Sequence, residues 1–72
     1  MRISYDSEAD ALSIIFREAT VTTRDLAEGI AGEYDEKGEL VGLEILDASE
    51  RMGGQEGLRR VILEGIGMSA TA

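Results

Sequence analysis

Residues 30–48, Ile-Ala-Gly-Glu-Tyr-Asp-Glu-Lys-Gly-Glu-Leu-Val-Gly-Leu-Glu-Ile-Leu-Asp-Ala, limit what this chain can fold into more than any other stretch. Val41, Leu43 and Ile45 alternate with Gly42 and Glu44, the period of two that marks a half-buried strand. Ile30, Gly32 and Tyr34 alternate in the same way with Ala31, Glu33 and Asp35. Between the two runs lies Asp35-Glu36-Lys37-Gly38. Aspartate suits the opening position of a type I turn, and Gly38 supplies the positive φ that closes it. The stretch reads as a β-hairpin. A four-residue turn pairs Tyr34 with Glu39, Gly32 with Val41 and Ile30 with Leu43, which keeps the apolar side chains on one face. A slip of one residue would bury Glu33 instead.

The N-terminal part repeats this pattern. Arg2 to Asp6 is a short strand, Ser7-Glu8-Ala9-Asp10 a polar turn, and Ala11 to Arg17 a second strand with Leu12, Ile14 and Phe16 on one face. Tyr5-Asp6 matches Tyr34-Asp35 at an offset of 29, and Leu12, Ile14 and Phe16 match Val41, Leu43 and Ile45 at the same offset. Two copies are too few for a solenoid, so the pattern predicts two similar hairpins in one meander. Each tyrosine is expected to lay its ring on the sheet, with its hydroxyl reaching the polar groups of the turn. Between the hairpins, Thr20-Val21-Thr22-Thr23-Arg24 is β-prone and prolongs the second strand after a bulge near Glu18-Ala19. Asp25 to Gly29 then turns into the next strand.

Beyond Ile45 the period changes. Asp47-Ala48-Ser49-Glu50 pairs an N-cap residue with a glutamate three positions on, which starts a helical turn ending before Gly53-Gly54. After that hinge, Leu58, Val61, Ile62, Gly65 and Ile66 fall on one helical face, with Arg59, Arg60 and Glu64 away from it. A helix of about 12 residues with Gly57 inside is too weak to stand alone in water, so its stripe must dock on its own sheet or on a second subunit. Gly67 to Ala72 reads as a frayed tail. The expected architecture is α+β: a four-stranded antiparallel β-meander over residues 1–52, then a short helical turn and a C-terminal amphipathic helix within residues 53–72.

Length and composition bear mainly on function. Seventy-two residues make one domain near the lower limit for a chain without cysteine, so a partner or second copy is expected to contribute to stability. The sequence runs from Met1 straight into strand pattern, and no apolar run approaches the ~20 residues that span a bilayer. A cytoplasmic protein without a signal peptide is the expectation. Fifteen acids against seven bases give a net charge of -8, and residues 1–50 hold 13 of the acids. Such a field repels nucleic acid and anionic membrane and attracts basic partners, although the plainer role of the acids is solubility.

Catalytic chemistry is sparse. There is no histidine or cysteine, and the single lysine, Lys37, lies in a turn. That removes the commonest general base and the soft metal ligands. No phosphate-binding glycine loop is present, since no lysine follows Gly53-Gly54. Three aromatic residues do not furnish the sugar platforms of a glycosidase cleft. Asp6, Glu8 and Asp10 alternate around the first turn, and Glu33, Asp35 and Glu36 cluster at the second. Oxygen-rich turns can hold calcium or magnesium, but the twelve-residue calcium-loop spacing is missing and acid-rich turns also keep hairpin tips solvated. No catalytic, cofactor or metal residue is assigned from the sequence. An open sheet edge, by contrast, is a ready template for another strand.

The segments Tyr5-Asp6-Ser7-Glu8-Ala9-Asp10-Ala11-Leu12 and Gly42-Leu43-Glu44-Ile45-Leu46-Asp47-Ala48-Ser49 resemble the two hallmark stretches of a small bacterial family, domain-of-unknown-function family 2283. Tyr34-Asp35-Glu36-Lys37-Gly38 fits its second hairpin turn, so the resemblance covers roughly residues 1–52. Ser13 stands where the family usually has an aromatic residue, and the tail from Gly53 onward is extra. The resemblance implies a compact β-rich bacterial protein without established catalytic residues. Some relatives stand beside small toxin-like partners, which implies an antitoxin role. The leading expectation is therefore a non-catalytic module that binds a small basic protein through Glu33, Glu39, Glu44, Leu58 and Ile62. The alternatives are a homodimer built on the tail helix and a sheet edge, and a metal- or ligand-binding domain on the Asp6, Glu8 and Asp10 turn.

Overall fold

Both hairpins form where alternation and turn chemistry put them. The computed structural model describes residues 1–67; Met68–Ala72, and with them most of the expected frayed tail, lie outside the described residues. The elements are β1 (Arg2–Asp6), β2 (Ala11–Ile15), β3 (Thr22–Ala27), β4 (Ile30–Tyr34), β5 (Leu40–Ile45), α1 (Ala48–Arg51) and α2 (Gln55–Arg59). The strands make one antiparallel sheet in the order β1-β2-β5-β4-β3, and the fold is α+β.

The expected four-stranded meander is corrected on two points. The β-prone Thr22–Ala27 does not prolong β2 but forms a fifth strand on the outer side of β4. The order is also a Greek key, since β3, β4 and β5 are joined by hairpins while β2 lies beside β5. Residues 16–21 make the long connection, crossing the ends of β5 and β4, about 14 Å at the usual strand spacing. Sequence alternation marks a strand but does not say which edge will pair with it. Here β4 had an open edge, and Arg24 on β3 stacks over the Tyr34 ring at 4.3 Å from its centroid.

The 29-residue repeat has a geometric meaning. Ile14 of β2 pairs with Leu43 of β5, and these two residues are themselves 29 positions apart. The two hairpins are thus related by a local twofold axis through that pair. The equivalent aspartates also do equivalent work. Asp6 accepts the Glu8 N–H at 3.0 Å, and Asp35 accepts the Lys37 and Glu39 N–H groups at 2.9 Å, each bracing its turn as an Asx motif.

In the second hairpin the expected register is displaced by two residues. Ile30 pairs with Ile45 and Gly32 with Leu43, while Tyr34 pairs with Leu40 across a bulge that leaves Val41 extra. An even slip keeps Gly42 to Ile45 on their expected faces, while the bulge at Val41 brings Leu40 round to the apolar face beside Gly32. Val41 is buried, and its carbonyl accepts the Phe16 N–H at 2.8 Å, tying the start of the crossing to the sheet. At that end Arg17 also forms an ion pair with Asp35.

The C-terminal helix is the largest correction. Regular helix stops at Arg59, Arg60 is extended (φ −111°, ψ 93°), and residues 60–64 have no regular structure. Val61 and Ile62 disfavour helix, Gly65 takes a positive φ of 68°, and no surface packs along the whole stripe to offset the nucleation cost. The cap of α1 differs as well. Asp47 precedes α1 in the left-handed region (φ 51°) and makes no side-chain cap. Asp10, from the turn between β1 and β2, takes that part.

Candidate interaction surfaces

Asp10 joins the two sequence stretches that carried the resemblance. Its backbone carbonyl accepts the Ala48 N–H at 3.0 Å. Its carboxylate accepts the Tyr5 hydroxyl at 2.7 Å, the Ser49 hydroxyl at 2.7 Å and the Ser49 N–H at 3.0 Å. The first N–H groups of α1, which have no partner inside a helix, are therefore capped from a turn 39 positions away. Arg51, at the other end of α1, donates to the Glu28 carbonyl in the turn between β3 and β4. One turn of helix thus clamps two hairpin ends together.

The Tyr5 hydroxyl, then the Ser49 hydroxyl and N–H, hold the Asp10 carboxyl below its ordinary pKa. The same bond to Asp10 raises the Tyr5 hydroxyl, which stays a donor. At the opposite end of the sheet the Glu39 N–H, followed by Arg17, lowers Asp35. A carboxyl whose pKa is depressed by folding binds protons more weakly folded than unfolded. Its stabilisation is complete above the ordinary value near pH 4 and is lost as pH falls through the folded value. Thermal melts from about pH 7 to about pH 3 should therefore show the native chain losing more stability than Ser49→Ala, whose Asp10 is less depressed. Parallel pH profiles for the two chains would refute this role for Asp10.

Asp6, Glu8 and Asp10 do not form a ligand set. Asp6 and Asp10 spend their oxygens on the turn and on α1, and no group of three or more His, Cys, Asp or Glu gathers among the described residues.

The sheet has two unlike faces. Across one run Ser4, Ser13, Glu44, Ala31 and Asp25 in a single row, with Glu33 beside Glu44 in the next. Across the other run Ile3, Ile14, Leu43, Gly32 and Arg24, with Tyr5, Leu12, Ile45 and Ile30 in the adjacent row. Gly32 is buried under its neighbours. A Cβ there would meet the Leu26 and Leu40 methyls and the Tyr34 ring, each at 3.0 Å.

The five partner-binding residues expected from the sequence fall in three places. Glu33 and Glu44 share the polar face, as diagonal neighbours. Glu39 lies at the hairpin tip, 4.0 Å from Arg17. Leu58 and Ile62 line a groove of about 500 Å³ on the apolar face, with Ile3, Tyr5, Leu12 and Ile14 opposite them. Two features were missed: the cap supplied by Asp10, and the reach of the apolar face beyond the tail. The first has a trace in the sequence, since Asp10 and Ser49 lie in the two family-like stretches. The second depends on strand order, which alternation does not encode.

These features define a small α+β domain built on a Greek-key antiparallel sheet, its hairpin ends locked by one turn of helix. Residues 2–49, two-thirds of the chain, match the family described as "Protein of unknown function (DUF2283)", and the chain belongs to that family. The match ends at Ser49, the residue that binds Asp10. No curated protein and no solved structure matches the chain. Among the described residues no helix is long and apolar enough to cross a membrane.

Proposed function

We propose that this chain is a non-catalytic protein-binding module whose acidic sheet face takes a small basic protein, in the manner of an antitoxin covering a positive surface. The observation that carries this is the segregation of charge. Glu33, Glu44 and Asp25 surround Ala31 on one face, and none of them forms an ion pair among the described residues. Arg24, the base nearest in the sheet, is turned to the other face over Tyr34, and Arg2, at the far edge of the acidic face, is engaged by Glu18. Carboxylates left without internal cations on a flat surface draw a basic partner at long range and set its orientation.

A lysine-rich peptide is a sufficient probe. Glu33→Gln combined with Glu44→Gln should weaken its binding about tenfold at low salt, with the difference shrinking as salt screens the field. Glu39→Gln, beside Arg17 at the tip, should change little by comparison. Equal affinity for the native and doubly substituted chains would remove the acidic face as the binding surface.

A further inference from the structure

We infer that the apolar face of the sheet is covered by a second copy of this chain, so that two sheets pack face to face and the acidic faces point outward. A sheet with one apolar face must bury that face against another layer. Here most of that layer is missing. Ile14 and Leu43, at the centre of the sheet, are only half-buried, while Ile3, Leu40 and Leu26 on the same face are 46%, 40% and 48% exposed. The folded chain measures 18 Å in its thin direction. That is room for one sheet and the short segment over β1 and β2.

Surface area gives the size of what is missing. The chain exposes 5618 Å², whereas a folded monomer of 7.7 kDa exposes about 4,300 Å². Allowing residues 68–72 the full surface of an extended chain still leaves an excess of about 800 Å², and this face together with the exposed tail side chains Val61, Ile62, Leu63 and Ile66 accounts for it, the scale of one partner's share of a standard interface. Charge also favours a like surface. The face carries Arg24, stacked on Tyr34, and the strand rows place no carboxylate on it. A chain of net charge -8 can therefore bring two copies together there with its acids held on the far sides. Every copy needs this layer in order to fold well, and twofold pairing of identical surfaces supplies it without a second gene product. The sandwich would use the aligned sheet packing in which inner faces interdigitate about 10 Å apart.

The mass of the purified full chain in solution, measured over a range of concentrations, tests this. Twice 7.7 kDa is expected, with a melting temperature that rises with concentration. The substitutions Leu26→Arg and Leu40→Arg together should halve the mass or unfold the chain. Ser13→Arg, on the acidic face, should leave the dimer intact. A native chain of single mass with a concentration-independent melting temperature would overturn the proposal and leave the face to a different protein. A dimer that survives the paired arginines while folded would overturn it too, by moving the contact to an edge or the tail. Neither result bears on peptide capture by Glu33 and Glu44, so the two proposals fail separately.

Discussion

Ile45→Ala is expected to destabilise the fold by about 3 kcal/mol, enough to lower the melting temperature by about 15 °C. Ile45 is one of three buried apolar side chains among the described residues, with Val41 and Ala48. It lies in β5, the central strand, paired with Leu12 on one side and Ile30 on the other. Truncation there loses the transfer energy of three carbons and leaves a cavity that a small sheet closes poorly. A domain of this size has only about 4–10 kcal/mol in hand. Leu63→Ala, at an exposed position outside the family match, should shift the melt by no more than about 0.5 kcal/mol. Equal melting temperatures for native and Ile45→Ala chains would show that β5 is not the centre of the core.

Gly57→Ala should act against its helix propensity. Within a helix, alanine for glycine ordinarily stabilises by about 0.5–1 kcal/mol. In α2 a Cβ at position 57 would stand 1.5 Å from the Met52 carbonyl oxygen and 2.6 Å from its carbon. Those are backbone atoms at the corner between α1 and α2, and they cannot turn aside as a side chain can. The helix must move, carrying Leu58 and Ile62 off the groove above Ile3 and Leu12. A loss of about 1–3 kcal/mol is expected, together with faster tryptic cleavage after Arg59 and Arg60. An unchanged cleavage rate with a higher melting temperature would mean that the tail does not rest on the sheet by this corner.

The family match sharpens the contrast between these two substitutions. Ile45 lies inside residues 2–49 and Gly57 outside them. The first should weaken the whole sheet, the second should release only the segment C-terminal to α1. Asp10 marks the boundary, because Ser49 is both its partner and the last residue of the match.

Much of the fold was legible in the residues. Alternation located β1, β2, β4 and β5, and the aspartates and Gly38 located the two turns that Asp6 and Asp35 brace. The 29-residue repeat foretold two like hairpins, and the structure relates them by a twofold through Ile14 and Leu43. Less of the surface was legible. Of the five residues expected at a partner surface, Glu33 and Glu44 share a face, whereas Glu39, Leu58 and Ile62 lie elsewhere. Side-chain type shows that a residue suits an interface, but only strand order says which other residues it stands beside.

By itself the sequence determined the local structure: strand period, turn chemistry, the face of each strand side chain away from the bulges, and a net charge of -8. These arise from interactions within a few residues, where covalent geometry leaves few options. The tertiary structure alone decided that Thr22–Ala27 pairs with β4, that Asp10 caps α1 from 39 positions away, and that the helix carrying Leu58 stops at Arg59, short of Val61, Ile62 and Ile66. Each of those outcomes is a competition between partners distant in the chain. It is settled by which edge, cap or surface the rest of the fold has left open.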